Sequence, residues 1–173
     1  LKKIVSVEDT MNAVIENYNA ENYIEMETSL SIFKNKIEEL KNELKIENTK
    51  EYINESNVAE NIMKSYINCK KGEYYYYRGM LFLNAKNNIL EGEECLEKAD
   101  KYYELSIFEK NENSEIVNQY LYNVRAYINQ ILYKYNKNED KQKAKENVKR
   151  AVRFSQKACE NYGNTRYSKD YRN

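Results

Sequence analysis

Tyr74-Tyr75-Tyr76-Tyr77-Arg78-Gly79-Met80-Leu81-Phe82-Leu83 is apolar or aromatic around the whole circumference of a helix. A helix of that kind is buried on several sides, so the stretch reads as the central helix of the protein. Downstream, Cys95, Leu96, Ala99, Tyr102, Tyr103 and Ser106 recur at intervals of three and four, the mark of a helix that packs on one side. The two segments predict the arms of a helical hairpin.

Composition agrees with an all-α fold. The 173-residue chain has no proline and four glycines, so little interrupts long helices, and no strand-turn-strand rhythm is visible. That length suits a single domain over 1–163 with one core, followed by a basic, tyrosine-rich tail, 164–173, which reads as loosely ordered.

Lys+Arg and Asp+Glu each number 28, so there is no global basic field, and nucleic acid is disfavoured as a partner. No apolar run is long enough to span a bilayer, and no signal-peptide pattern is present. A chain that begins at Leu1 fits removal of a leader or excision from a larger parent, so cytoplasmic and exported locations both stay open. Eighteen tyrosines accompany abundant Asn, Lys and Ile, which an AT-rich, bacterial type of genome enriches together.

Outward from the centre, Ser6 and Asp9 form a variant capping box ahead of a short helix over about 7–18. Tyr23, Met26, Leu30, Phe33, Ile37, Leu40 and Leu44 then make a heptad seam, which fits either a bundle helix or self-association of two copies. Residues 46–56 read as a loop. Val58, Ile62, Tyr66 and Cys69 resume a helix, and Lys70-Lys71-Gly72 reads as its C-terminus or as a kink in one helix running to about 86. After a polar connection from Asn84 to Gly92, a helix over about 91–109 follows, then a capping turn at Asn111–Ser114.

Val117, Tyr120, Leu121, Val124, Tyr127, Ile128, Ile131, Leu132 and Tyr135 form the most regular stripe. Asn136–Asp140 breaks it. The last helix puts Ala144, Val148, Ala151, Val152, Ser155, Ala158, Cys159 and Tyr162 on one face and stops at Gly163. Cys69, Cys95 and Cys159 lie on or beside apolar stripes and read as small core residues, their redox state open.

Six or seven antiparallel helices thus arrange as hairpins. The run Tyr75–Phe82 with Gly79, followed by Ala99, Tyr103 and Ser106, resembles a tetratricopeptide repeat. Ala126 with Ala144, Val148 and Ala151 resembles a more degenerate copy. Against the family pattern, the interval from Gly79 to Ala99 is long, as is that from Ala126 to Ala144, and the closing proline is missing. A closed helical bundle is the alternative architecture.

Because histidine is absent, Ser-His and Cys-His catalysis and histidine-ligated metal sites are excluded, and no phosphate-cradling glycine loop exists. Neither an enzyme nor a cofactor is expected, and Glu91 with Glu94 reads as a solvated helix face rather than a cation site. The resemblance implies a non-enzymatic interaction module or scaffold for a protein or peptide. Its groove would be lined by Tyr76, Tyr77, Met80 and Leu83 and by Tyr120, Asn123, Tyr127 and Gln130. That lining lacks a Lys and Asn array for a terminal carboxylate, so a hydrophobic segment is the implied ligand. A structural homo-oligomer joined through the seam at 23–44 is the alternative.

Overall fold

In a computed structural model the described residues are 2–44, 58–107 and 115–161. Among them are six α-helices and no strand: α1 (Lys2–Asn19), α2 (Tyr23–Glu43), α3 (Val58–Asn84), α4 (Ile89–Ser106), α5 (Glu115–Asn136) and α6 (Lys141–Asn161). The fold is all-α. The expected loop at 46–56, the capping turn at 111–114, the stop at Gly163 and the tail lie outside the described residues.

In place of the expected single core there are two compact units, Leu1–Ser106 and Ile107–Asn173. Within them, consecutive helices pair as hairpins: α1 with α2, α3 with α4, and α5 with α6. Each hairpin is antiparallel, as its cross-contacts show. In the first, Asn17 Nδ2 donates to Ser29 Oγ at 2.7 Å near the turn, and Lys3 pairs with Glu43 at 3.0 Å at the open end.

The first helix begins earlier than its capping box suggests, because Ser6 and Asp9 lie inside it. Ile4 packs against the core and extends the stripe Val7, Met11, Val14, Tyr18 by one step, so burial carries the helix past a local start signal. Glu21, in the left-handed region at φ 58°, turns the chain into α2. There Met26, Leu30, Phe33, Ile37 and Leu40 are buried together with Val7, Val14, Ile67, Tyr74 and Leu81. The heptad seam is therefore spent inside the unit, where each large apolar side chain removed from water contributes about 1.5–3 kcal/mol.

Lys70-Lys71-Gly72 does not end a helix, since α3 runs unbroken from Val58 to Asn84. Gly72 is needed for space instead: a Cβ there would stand 2.9 Å from Cδ1 and Cε1 of the buried Tyr103 on α4. A second close approach joins the same two helices, where a Cβ on Gly92 would meet Leu83 Cγ at 2.6 Å. Asn88 caps α4 by accepting from the Glu91 amide at 3.2 Å, and Asp140 caps α6 through the Lys143 amide at 3.0 Å.

In the second unit Tyr122 and Ala126 pack on Phe154 and Ala158, with the Tyr122 and Phe154 rings 6.1 Å apart. Beside them runs a chain of amides. Asn136 Nδ2 donates to Asn147 Oδ1 at 3.2 Å, Asn147 Nδ2 to Asn129 Oδ1 at 3.3 Å, and Asn129 Nδ2 to the Arg125 carbonyl at 2.8 Å. The buried side of α5 is thus partly polar and overlaps only part of the apolar stripe expected from periodicity, burying its Leu121, Ile128 and Leu132. Val117, Tyr120 and Tyr127 of that stripe are exposed, whereas Asn118, Arg125 and Asn129 are buried.

Candidate functional site

The four consecutive tyrosines of α3 lie about 100° apart around the helix and so meet different neighbours. Tyr74 packs toward α2, with its ring 6.5 Å from Phe33, and its hydroxyl accepts from Arg78 Nη1 at 2.9 Å. Tyr75 stacks on Tyr102 of α4 at 5.5 Å with the rings parallel to within 1°. Tyr77 meets Tyr18 of α1 edge-on at 5.6 Å, and burial pushes its hydroxyl up to about 12, with the charge of Glu73 adding to the shift. Tyr76 is half-buried beside Tyr77.

Met80 and Leu83 are buried, the latter against Gly92. Of the four α3 residues expected to line a groove, Tyr76 and Tyr77 are therefore half-covered and the other two are enclosed.

Below Tyr77 lies a cluster that the sequence does not announce. Lys70, 8% exposed along its side chain, reaches Glu8 Oε1 of α1 at 2.7 Å and Glu73 Oε2 at 3.1 Å. Its ammonium also lies 3.4 Å from Met11 Sδ and 5.2 Å from the Tyr66 ring centre. Tyr66 donates to the same Glu8 carboxylate, and the Cys69 thiol faces Glu73 at 3.7 Å.

Burial works against ionisation at Glu8, but the bonds from Lys70 and Tyr66 outweigh it and hold the carboxyl below its ordinary value. Burial likewise disfavours the Lys70 ammonium, and the charge of Glu73 with the Glu8 hydrogen bond overcomes this and raises it. Burial and then the Glu8 bond raise Tyr66, while burial and then the Glu73 charge raise Cys69. The effect is to keep Glu8 and Lys70 charged and Tyr66 and Cys69 protonated, which clasps α1 to α3 and leaves the thiol a poor nucleophile. Cys69, Cys95 and Cys159 are free thiols.

The second unit presents the open surface. Tyr120 and Tyr127 are 46% and 50% exposed, Gln130 is exposed and Asn123 is half-buried, so this expected quartet lies along the outer side of α5. Next to it, Gln130 and Tyr133 of α5 with Val148, Ala151, Val152 and Ser155 of α6 line an open groove of about 410 Å³. Its apolar side chains stand well out of the core: Tyr133 is 41% exposed, Val148 42% and Val152 52%.

The small-residue stripe of α6 is thereby divided. Ala144, Ala151 and Ala158 are buried, whereas Val148, Val152 and Ser155 face the groove. Only Gln130 was legible as a lining residue. The signal for the others is a stripe wider than one neighbouring helix covers, together with Phe154, which lies off the stripe and takes up the packing on α5.

Among the described residues no three His, Cys, Asp or Glu side chains converge on a cation site, and no helix is long and apolar enough to cross a membrane. No family model matches the chain, and neither a curated protein nor a solved structure matches it.

Proposed function

We propose that the chain is a non-enzymatic interaction module of tetratricopeptide-like hairpins that holds a protein or peptide segment on the α5–α6 surface. The observation that carries this reading is the groove itself: tyrosine and valine side chains that a closed bundle would bury stand roughly half-exposed around a concave floor. Tyrosine suits such a surface because it supplies large contact area with few rotors to freeze. The succession of three antiparallel hairpins supports the repeat character. The rival reading, a homo-oligomer joined through the seam at 23–44, has to expose Met26, Phe33 and Ile37, which are 0–2% exposed in the first unit.

Selection of a displayed helical-peptide library against the whole chain tests the proposal, with methyl NMR used to map the selected sequences. Enriched peptides that shift Val148 and Val152, and that lose binding in Val148→Glu, support it. Enrichment of nothing, or shifts confined to other helices, refutes it. Light scattering of the same protein reports on the oligomer.

A further inference from the structure

The zero net charge of the chain conceals a separation of charge between its units. Residues 1–106 carry 14 Lys and Arg against 20 Asp and Glu, and residues 107–173 carry 14 against 8, so the first unit has a formal charge of minus six and the second of plus six. Helix α6 concentrates the excess, with seven cations against Glu146 and Glu160.

Helical periodicity puts Lys141, Lys145 and Lys149, one turn apart, along the edge of the face that bears Val148 and Val152. All three are exposed, as is Arg153. Lys149 pairs with Glu146 at 3.3 Å and Lys157 with Glu160 at 3.9 Å, both in open solvent, where such pairs contribute little. Lys141, Lys145 and Arg153 have no ion-pair partner among the described residues.

We infer that the occupant of the α5–α6 groove is an acidic amphipathic helix of a partner protein, an inference that rests on the reading of this groove as a docking surface. Apolar anchors at every third or fourth position of such a helix would fill the space between Tyr133, Val148 and Val152, and carboxylates on its flank would meet the lysine row. The apolar floor is recessed between two helices, and half of the α6 stripe is already spent on α5. That leaves too narrow a face to lie in a lipid interface, where a wide protruding apolar face is required. Phosphate recognition would use the lysines but has no use for a valine floor. A carboxylate-bearing helix uses both, and the cationic edge steers it and sets its orientation.

Fluorescence anisotropy on the whole chain decides the matter. The probes are three labelled helical peptides of about 18 residues with one leucine pattern, whose polar faces carry glutamate, glutamine or lysine. Vesicles of phosphatidylserine and phosphatidylcholine form a fourth arm. The glutamate peptide is expected to bind about tenfold more tightly than the glutamine peptide in 0.1 M salt and to lose most of that advantage in 1 M salt. Lys145→Glu combined with Lys149→Glu is expected to reverse the order in favour of the lysine peptide, a gain that misfolding cannot mimic.

Equal binding of the three peptides, abolished by Val152→Glu, overturns the acidic assignment and leaves the docking surface standing. Binding to vesicles without binding to the glutamate peptide overturns the assignment in favour of a lipid surface. If none of the four probes binds, the acidic assignment and the docking surface fall together.

Discussion

Replacing Lys70 by methionine keeps most of the length and volume of the side chain while deleting the ammonium that lies 2.7 Å from Glu8 and 3.1 Å from Glu73. The loss is therefore electrostatic rather than a cavity. Removing one member of a buried ion pair typically costs about 3–5 kcal/mol, because the remaining charge stays desolvated. Here Lys70 and Glu73 are each 8% exposed, which favours the upper part of that range, but Glu8 is 36% exposed and recovers part of its hydration. A loss of about 3 kcal/mol follows.

Because the chain forms two units, global melting need not be a single transition, and the measurement belongs on the first unit. Hydrogen exchange of the α1 amides provides it: about 3 kcal/mol corresponds to roughly a hundredfold faster exchange where opening passes through release of α1 from α3. The combination Lys70→Met, Glu73→Gln and Glu8→Gln removes all three charges and is expected to return to within about 1 kcal/mol of the parent. Should Lys70→Met alone lose less than about 1 kcal/mol, or should the triple variant fail to recover, the cluster is not an electrostatic clasp and the reasoning fails.

Leu30→Ala and Ile37→Ala, at sites 4% and 2% exposed, should each cost about 2–5 kcal/mol in urea unfolding, whereas Ile24→Ala, at 83% exposure, should cost under about 0.5 kcal/mol; equal losses at all three would contradict the placement of the seam in the core. Stability should also fall with alkali. Tyr66, Tyr77, Tyr102, Cys69 and Cys95 are all raised, first by burial, so the folded state keeps protons that the unfolded chain releases. The contribution of the tyrosines is whole below pH 10.0 and is lost as pH climbs through their folded values, about 12 for Tyr77. Glu8 acts in the opposite direction: its folded value lies below 4.5, so its share is lost as pH falls through that value. Urea midpoints at pH 3, 7, 9 and 11 read both limbs, and a midpoint unchanged between pH 9 and 11 would refute the alkaline one.

Much of the fold is local chemistry and was legible in the residues. The absence of proline, the polar breaks at Asn19–Asn22, Asn84–Gly92 and Asn136–Asp140, and the three-and-four spacing of Met26, Leu30, Phe33 and Ile37 specify helices, their approximate limits and, for α2, the face that is buried, although α4 starts at Ile89, inside the expected connection. The circumferential apolarity of Tyr74–Leu83 likewise foretells a helix with neighbours on several sides, because side-chain direction along a helix follows from backbone geometry alone.

What a neighbour does with a face is a different matter, and there only the tertiary structure decides. Lys70-Lys71-Gly72 suits a helix end as well as a crowded crossing, and the Tyr103 ring lying across Gly72 selects the crossing. Lys70 reads as a cation at a helix's carbonyl end until α1 brings Glu8 beside it. Along α6, periodicity groups Ala151 with Val148 and Val152, yet Phe154 takes up the contact with α5 and leaves the valines open. Periodicity records direction, whereas coverage depends on the size and position of residues far away in the chain. A groove is a matter of coverage, which is why its lining became visible only when the helices were seen together.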